Sequence, residues 1–253
     1  MGAALFLFAC GVQGPPVPPR VERPEAVKDL AVSQIGGTLL LTFSLPQLAT
    51  DGERLSKPLE VRISRAIYPA GQSVAAGPPE NLWTALQPED VQRYLRNGKV
   101  NFPAKPSDQE SAQWRGSTFA FSLTTLTRGL RRRAIESEPS NVARSKLLAL
   151  PGPIEDLRIR PTEKALELSW SPPTTSEDSS LSPLTGYRVY RSRTGEPGSF
   201  ELLAETMLPN YSDANFELDR PLFYKVRAVF KESDQVAESE DSAVVPITPR
   251  DVY

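Results

Sequence analysis

Histidine is missing from all 253 residues, and cysteine occurs once. The first absence removes the commonest general base, proton shuttle and zinc ligand, so hydrolytic triads and most transition-metal sites lose their usual member. The second excludes any internal disulfide, so a disulfide framework cannot argue for an extracytoplasmic location. An excess of either charge is missing too. With 29 Lys plus Arg against 31 Asp plus Glu, no whole-molecule field gathers nucleic acid or an acidic membrane. The GxSxG, Walker, GxGxxG and CxxC patterns are also absent. No enzymatic activity, cofactor, metal or nucleic-acid partner is expected. Proline, in contrast, is plentiful at 25 residues, which suits turns and edge strands. The length is enough for two small domains, each with its own core.

Location is readable at the N-terminus. Residues Gly2 to Ala9 are uncharged and almost wholly apolar, far short of the ~20 residues a membrane-spanning helix needs. A cleaved signal peptide over residues 1–9 is the expectation, although only the amino terminus of Met1 supplies the positive charge that usually precedes such a run. The stretch LFACG, Leu7 to Gly11, resembles a bacterial lipobox: Leu7, Ala9 and Cys10 match it, and the bulky Phe8 departs from it. The resemblance implies cleavage before Cys10, diacylglycerol on its thiol and a third acyl chain on the new amine. Residues 10–25 then read as a Pro/Gly-rich tether, rising ~3.1 Å per residue where polyproline-like. Nothing acidic directly follows Cys10. By the sorting rule of enteric bacteria this favours the outer membrane. The opening CGVQGPPVPP is also similar to the Cys-Gly-x-Lys-Gly-Pro start of small lipoproteins that attend the lipopolysaccharide-assembly translocon, with Gln13 replacing the lysine.

After the tether the chain repeats itself. VKDLAVSQIGGTLLLTFSLP (27–46) aligns without gaps on IEDLRIRPTEKALELSWSPP (154–173), pairing Asp29 with Asp156, Leu39 with Leu166, Leu41 with Leu168, Phe43 with Trp170 and Ser44 with Ser171. Each copy alternates apolar and polar residues, breaks at a turn (IGG, PTEK) and resumes, which predicts a hairpin with one buried face. A third strand follows in each, with Val61 and Ile63 standing where Tyr187 and Val189 stand. Further period-2 runs lie at 117–126 and 221–230.

The second copy, with LELSWSPP, LTGYRVYRS and FYKVRAV, resembles the fibronectin type III domain. That resemblance implies a seven-stranded sandwich of two antiparallel sheets. The fold class expected is therefore all-β: two tandem immunoglobulin-like sandwiches of this type, over residues 26–150 and 151–250. The linker near Ala149 to Pro153 is too short to let them swing far. The tyrosine that usually holds the corner before the sixth strand should fall at Leu222, and at Phe119 in the first copy. Neither has a hydroxyl, so the corner is expected to be held by packing. An insertion over 68–113 distinguishes the first copy. Within it Pro88, Glu89 and Asp90 suit a first helical turn, Val91, Tyr94 and Leu95 share a face, and Gly98 can end the helix.

Candidate binding residues are few. Trp83, Trp114 and Tyr94 in the insertion are aromatics that could stack on a glycan or anchor a protein partner, the alternative being that they pack the insertion onto its own sheet. The run RGLRRR, with Arg131, Arg132 and Arg133, could grip phosphate or lipid headgroups. Its alternative is a solvated hairpin tip neutralised by Glu136 and Glu138. The acidic stretch 231–241 lacks the spacing of a calcium loop and reads as a solvated turn. The serines of SEDSSLS (176–182) have no local activating base. Together these features predict a lipid-anchored, non-enzymatic protein of the bacterial envelope that binds or spaces envelope proteins. The rivals are a carbohydrate- or peptidoglycan-binding accessory and an accessory to outer-membrane assembly.

Overall fold

The computed structural model describes residues 21–129, 133–173 and 183–250. Cys10 with its signal, most of the tether, Arg131, Arg132 and the SEDSSLS stretch lie outside the described residues.

Alternation builds the first sandwich. In chain order it comprises β1 (Ala31–Ile35), β2 (Thr38–Ser44), β3 (Glu60–Tyr68), β4 (Leu82–Leu86), α1 (Pro88–Tyr94), β5 (Leu95–Arg96), β6 (Lys99–Ala104), α2 (Asp108–Gln113), β7 (Thr118–Arg128), β8 (Ala134–Glu136) and β9 (Ala143–Lys146). Along β2 the side chains of Leu39, Leu41 and Phe43 are fully buried, while the residues between them point to the other face. One sheet runs β1-β2-β6-β5; the other runs β4-β3-β7, with both β8 and β9 on β7.

The second sandwich comprises β10 (Arg158–Pro161), β11 (Leu166–Ser169), β12 (Leu184–Ser192), β13 (Glu201–Thr206), β14 (Asn210–Asp213), β15 (Leu222–Glu232), β16 (Gln235–Glu238) and β17 (Val245–Ile247). Here β10-β11-β14 faces β13-β12-β15, with β16 and β17 on β15. Setting β5 and the helices aside, the strands of the two sandwiches correspond one for one, in the fibronectin type III arrangement. The register confirms the repeat: Val61 and Ile63 pair with Thr125 and Leu123, as Tyr187 and Val189 pair with Ala228 and Val226. Each sandwich has its own core, one centred on Phe43, Phe119 and Phe121, the other on Trp170, Tyr187 and Tyr224.

Polar devices are duplicated with the strands. Asp29 accepts from both the amide and the hydroxyl of Ser44, at 3.0 and 2.8 Å. Asp156 accepts likewise from Ser171, at 2.7 and 2.6 Å. Where the last strand of each sandwich breaks, serines take over its hydrogen bonding. Ser137 and Ser140 Oγ accept from the amides of Thr125 and Leu123, and Ser239 and Ser242 Oγ accept from those of Ala228 and Val226, all at 3.0 Å. A buried amide left unpaired costs about 1–3 kcal/mol, so each serine holds a strand end that would otherwise be open.

Leu222 and Phe119 are buried at the corner positions, while Tyr224, fully buried and two residues after Leu222, donates to the side chain of Asp213, at 2.7 Å from Oδ2. Burial, and then the Asp213 carboxylate, push the Tyr224 phenol well above its usual range. In the first sandwich the equivalent position is Phe121, which has no hydroxyl. The helices depart from expectation. Helix α1 starts at Pro88 as predicted, but Leu95 ends it in an extended conformation and enters β5. Gly98 (φ 78°) and Asn97 (φ 50°) instead form the turn between β5 and β6. A second helix, α2, was not anticipated, although Ser107 and Glu110 form a reciprocal capping box at its start.

The tether also ends earlier than residue 25. The amide of Glu25 donates to Leu48 O at 3.1 Å, and Arg23 O accepts from Thr50 at 2.8 Å. The buried Glu22 carboxylate accepts from the amide and hydroxyl of Ser56, at 2.9 and 2.7 Å. Residues 21–25 therefore belong to the first sandwich.

Candidate functional site

The two sandwiches meet edge to edge. β1 pairs in parallel with β16, setting Gln34 beside Ala237 and Ile35 beside Glu238, so one sheet runs from β13 through the joint to β5. The Gly36 amide extends the ladder by donating to Glu238 O at 2.8 Å. Gln34, 1% exposed, is the side chain that closes the joint to the linker. Its amide nitrogen donates to the carbonyls of Leu148 and Gly36, and its oxygen accepts from the Leu148 amide, each at 2.9 Å. Gln235 does the reverse across the interface, accepting from the Lys146 amide and donating to its carbonyl, both at 2.7 Å. The Lys146 ammonium lies on Glu232.

Glycine is required at the tightest point. Gly36 has φ 54°, and a Cβ there would lie 2.2 Å from Glu240 Cγ. A second contact lies elsewhere: a Cβ on Gly198, in the β12–β13 loop, would stand 3.3 Å from Arg96 Nε of β5. A cleft of about 570 Å3 follows the linker, with Gly37, Arg115, Leu148, Pro151 and Glu240 among its walls.

The acidic stretch 231–241 is more than a solvated turn. Ser233 and Asp234 are exposed at its tip, but Gln235–Glu238 form β16, paired with β1 of the first sandwich, and the carboxylates of Glu232, Glu238 and Asp241 are engaged. Glu238, 9% exposed, accepts from Arg188 at 2.6 Å, from the Tyr190 hydroxyl at 2.7 Å and from Arg227 at 3.1 Å. Burial alone would raise its carboxyl, but Tyr190, Arg188 and Arg227 together hold it below the ordinary value. Asp241 is lowered in the same way, its burial outweighed by Arg227 and Lys225. The Arg227 guanidinium lies over the Tyr190 ring, 5.0 Å from its centre. Local acidity gave the solvated reading. The partners that bury these carboxylates come from β12 and β15, distant in sequence.

The aromatics of the insertion are packed. The Trp83 ring has the Arg65 guanidinium 4.8 Å from its centre, itself held by Glu110 at 2.9 Å. The rings of Phe102 and Phe121 lie 6.0 and 6.1 Å away. Tyr94 meets Phe102 edge-on at 5.1 Å. Trp114 caps α2 and, like Trp83 and Tyr94, is half-buried against the first core. Leu82 departs from this pattern and is 58% exposed.

Arg133 is exposed, and its carbonyl accepts from the Gly129 amide at 2.8 Å. Glu136 and Glu138 have partners among the described residues outside the arginine run. Glu136 faces Arg62 at 3.5 Å and accepts from Thr124, and Glu138 pairs with Arg23 at 2.6 Å. Among the described residues no cluster of three or more His, Cys, Asp or Glu could hold a metal ion, and no helix is long and apolar enough to cross a membrane.

The joint was not legible in the sequence, because a parallel pair between strands some two hundred residues apart leaves no local pattern. The serine pairs were legible: Glu-Ser-Glu-x-Ser recurs at 136–140 and 238–242.

Neither a protein-family model nor a curated protein matches the chain. Solved structures do. The chicken CNTN1 FN1–FN3 domains are 13% identical, covering 90% of this chain and 69% of that one, with a TM-score of 0.37. The sixth fibronectin type III domain of human fibronectin type III domain containing protein 3 is 16% identical over 41% of this chain and 90% of its own, at 0.33. The twitchin kinase region from C. elegans is 19% identical over 42% of this chain but only 18% of its own, at 0.34.

Proposed function

We propose that this chain is a rigid, non-enzymatic two-sandwich module of the bacterial cell envelope, held at the outer membrane by acyl chains on Cys10 and serving to bind or space envelope proteins. Sandwiches of this type commonly serve as protein-binding or spacer modules, which is an argument from fold alone. The observation that carries the reading is the joint. Backbone pairing of β1 with β16, bracketed by Gln34 and Gln235, fixes one sandwich against the other, as a spacer or a composite binding surface requires. The anchor is supported by Leu7, Ala9 and Cys10. Acyl chains worth ~0.8 kcal/mol per buried methylene would make it effectively permanent.

Intact mass of the membrane-extracted protein tests the anchor. A triacylated chain starting at Cys10 supports it, and an unmodified chain starting at Met1 removes it. Residual dipolar couplings test the spacer: a single alignment tensor for both sandwiches is expected, and two independent tensors would sink it.

A further inference from the structure

The joint that fixes the two sandwiches leaves an open cleft beside the linker, and its volume of about 570 Å3 is that of a ligand site. The charged side chains on its walls are one cation and one anion. Arg115, just after α2, belongs to the first sandwich, and Glu240, just after β16, belongs to the second. Both are exposed. Among the described residues neither the guanidinium nor the carboxylate has a hydrogen-bond or ion-pair partner. Their neighbours Glu232 and Glu238, in contrast, are engaged.

The linker lines the same cleft with unpaired backbone. Gln34 takes both the amide and the carbonyl of Leu148. The amides and carbonyls of Ala149, Leu150 and Gly152 have no partner among the described residues. Backbone groups of this kind always find a hydrogen-bonding partner, so these face water or a ligand. Proline at 151 and 153 disfavours helical backbone at Leu150 and Gly152, and both residues lie outside any helix, strand or turn. Two glycines keep the walls open: a Cβ on Gly37 or Gly152 would meet nothing within 4 Å, so another chain can approach closely.

We infer that this cleft binds an extended peptide segment of a partner protein, with an acidic side chain for Arg115 and a basic one for Glu240. The inference rests on the protein-binding reading proposed above and deepens it. Main-chain hydrogen bonds to an extended segment supply affinity, and the two opposite charges select the sequence and its direction. Because Gln34 already holds the linker, little ordering accompanies binding.

Amide chemical shifts of the full chain test this with two capped heptapeptides, Ser-Glu-Val-Thr-Val-Lys-Ser and the same residues in reverse order. One of the two should shift the amides of Ala149, Leu150 and Gly152 more than the other does. Arg115→Glu should remove most of that shift, and Arg115→Glu together with Glu240→Arg should pass the preference to the reversed peptide. Gly152→Leu, whose side chain enters open space, should block binding while the chain stays folded. Residual dipolar couplings separate the failures. Two alignment tensors in the peptide-free chain would remove the joint and the cleft with it. A single tensor with no shift from either peptide would overturn the cleft alone and leave the spacer standing. So would equal shifts from a neutral peptide, or from free glutamate and lysine.

Discussion

Gly36 and Glu240 touch across the two sandwiches so closely that no side-chain carbon fits between them: a Cβ on Gly36 would lie 2.2 Å from Glu240 Cγ. Gly36→Ala adds that carbon at a left-handed backbone position (φ 54°), which costs about 1 kcal/mol before any clash. The variant should lower the melting temperature and split the single alignment tensor. Combining it with Glu240→Ala should recover part of the loss, since the clash goes and the backbone strain stays. No rescue by the double variant would mean that the contact does not govern the joint.

Gln34 makes three buried hydrogen bonds. Gln34→Leu keeps the volume and strands the Leu148 amide and carbonyl, which should cost about 1–3 kcal/mol. Hydrogen exchange at the Leu148 amide should accelerate before that in either core. Unchanged protection there would show that the side chain is dispensable.

The serine pairs allow a symmetrical experiment. Ser140→Ala and Ser242→Ala each strand one strand amide, of Leu123 and Val226. Each should cost about 1–2 kcal/mol, with similar values because the geometry is repeated. Urea unfolding of the two variants checks this, and a difference larger than the cost itself would refute the equivalence.

Acid should loosen the joint. Burial works to raise the carboxyls of Glu238 and Asp241, but their partners outweigh it, and both lie below the ordinary carboxylate values. A carboxyl lower in the folded than in the unfolded state contributes stability above the unfolded value and loses it as pH falls through the folded one. Protection of the Gly36 amide, which donates to Glu238 O, should therefore drop as pH falls below the ordinary range of a glutamate carboxyl. In Glu238→Gln the acid dependence should flatten and stability at neutral pH should fall. A profile identical to the parent's would place the acid-sensitive group elsewhere.

Tyr224→Phe makes the second sandwich resemble the first, which has Phe121 at that position. Loss of the hydroxyl from Asp213, which also holds Arg191 at 2.7 Å, should cost about 1–2 kcal/mol. Calorimetry of the two variants Tyr224→Phe and Phe121→Tyr checks it. Ala104 stands where Asp213 does and offers no carboxylate, so a stabilised Phe121→Tyr would contradict the role given to Asp213.

How far the sequence reached depends on the range of each interaction. Strand pairs such as Leu39, Leu41 and Phe43 announce themselves by period, and their second copy at Leu166, Leu168 and Trp170 doubles the signal. Helix α1 is announced by Pro88 and its acidic first turn. The capping box of Ser107 and Glu110 was equally local and passed unread because α2 buries no residue, so no apolar stripe marks it. The bond of Tyr224 to Asp213 joins different strands eleven residues apart, so alternation marks Tyr224 as inward without marking its partner. The partners of Glu238 lie eleven to fifty residues away, and Leu148, which Gln34 holds at the joint, more than a hundred, where no pattern in a single sequence reaches.

The pairing of β1 with β16 joins two unlike edges, and a duplicated chain carries each edge twice. Counterparts exist in β10 and β8, and the same union made between the β8 of one molecule and the β10 of the next would have no closing point, the geometry from which fibres grow. In this chain Arg23 lies across β8, its Nε donating to Glu136 O at 2.9 Å. The segment that leads out of the first sandwich thus also occupies the edge at which polymerisation would begin.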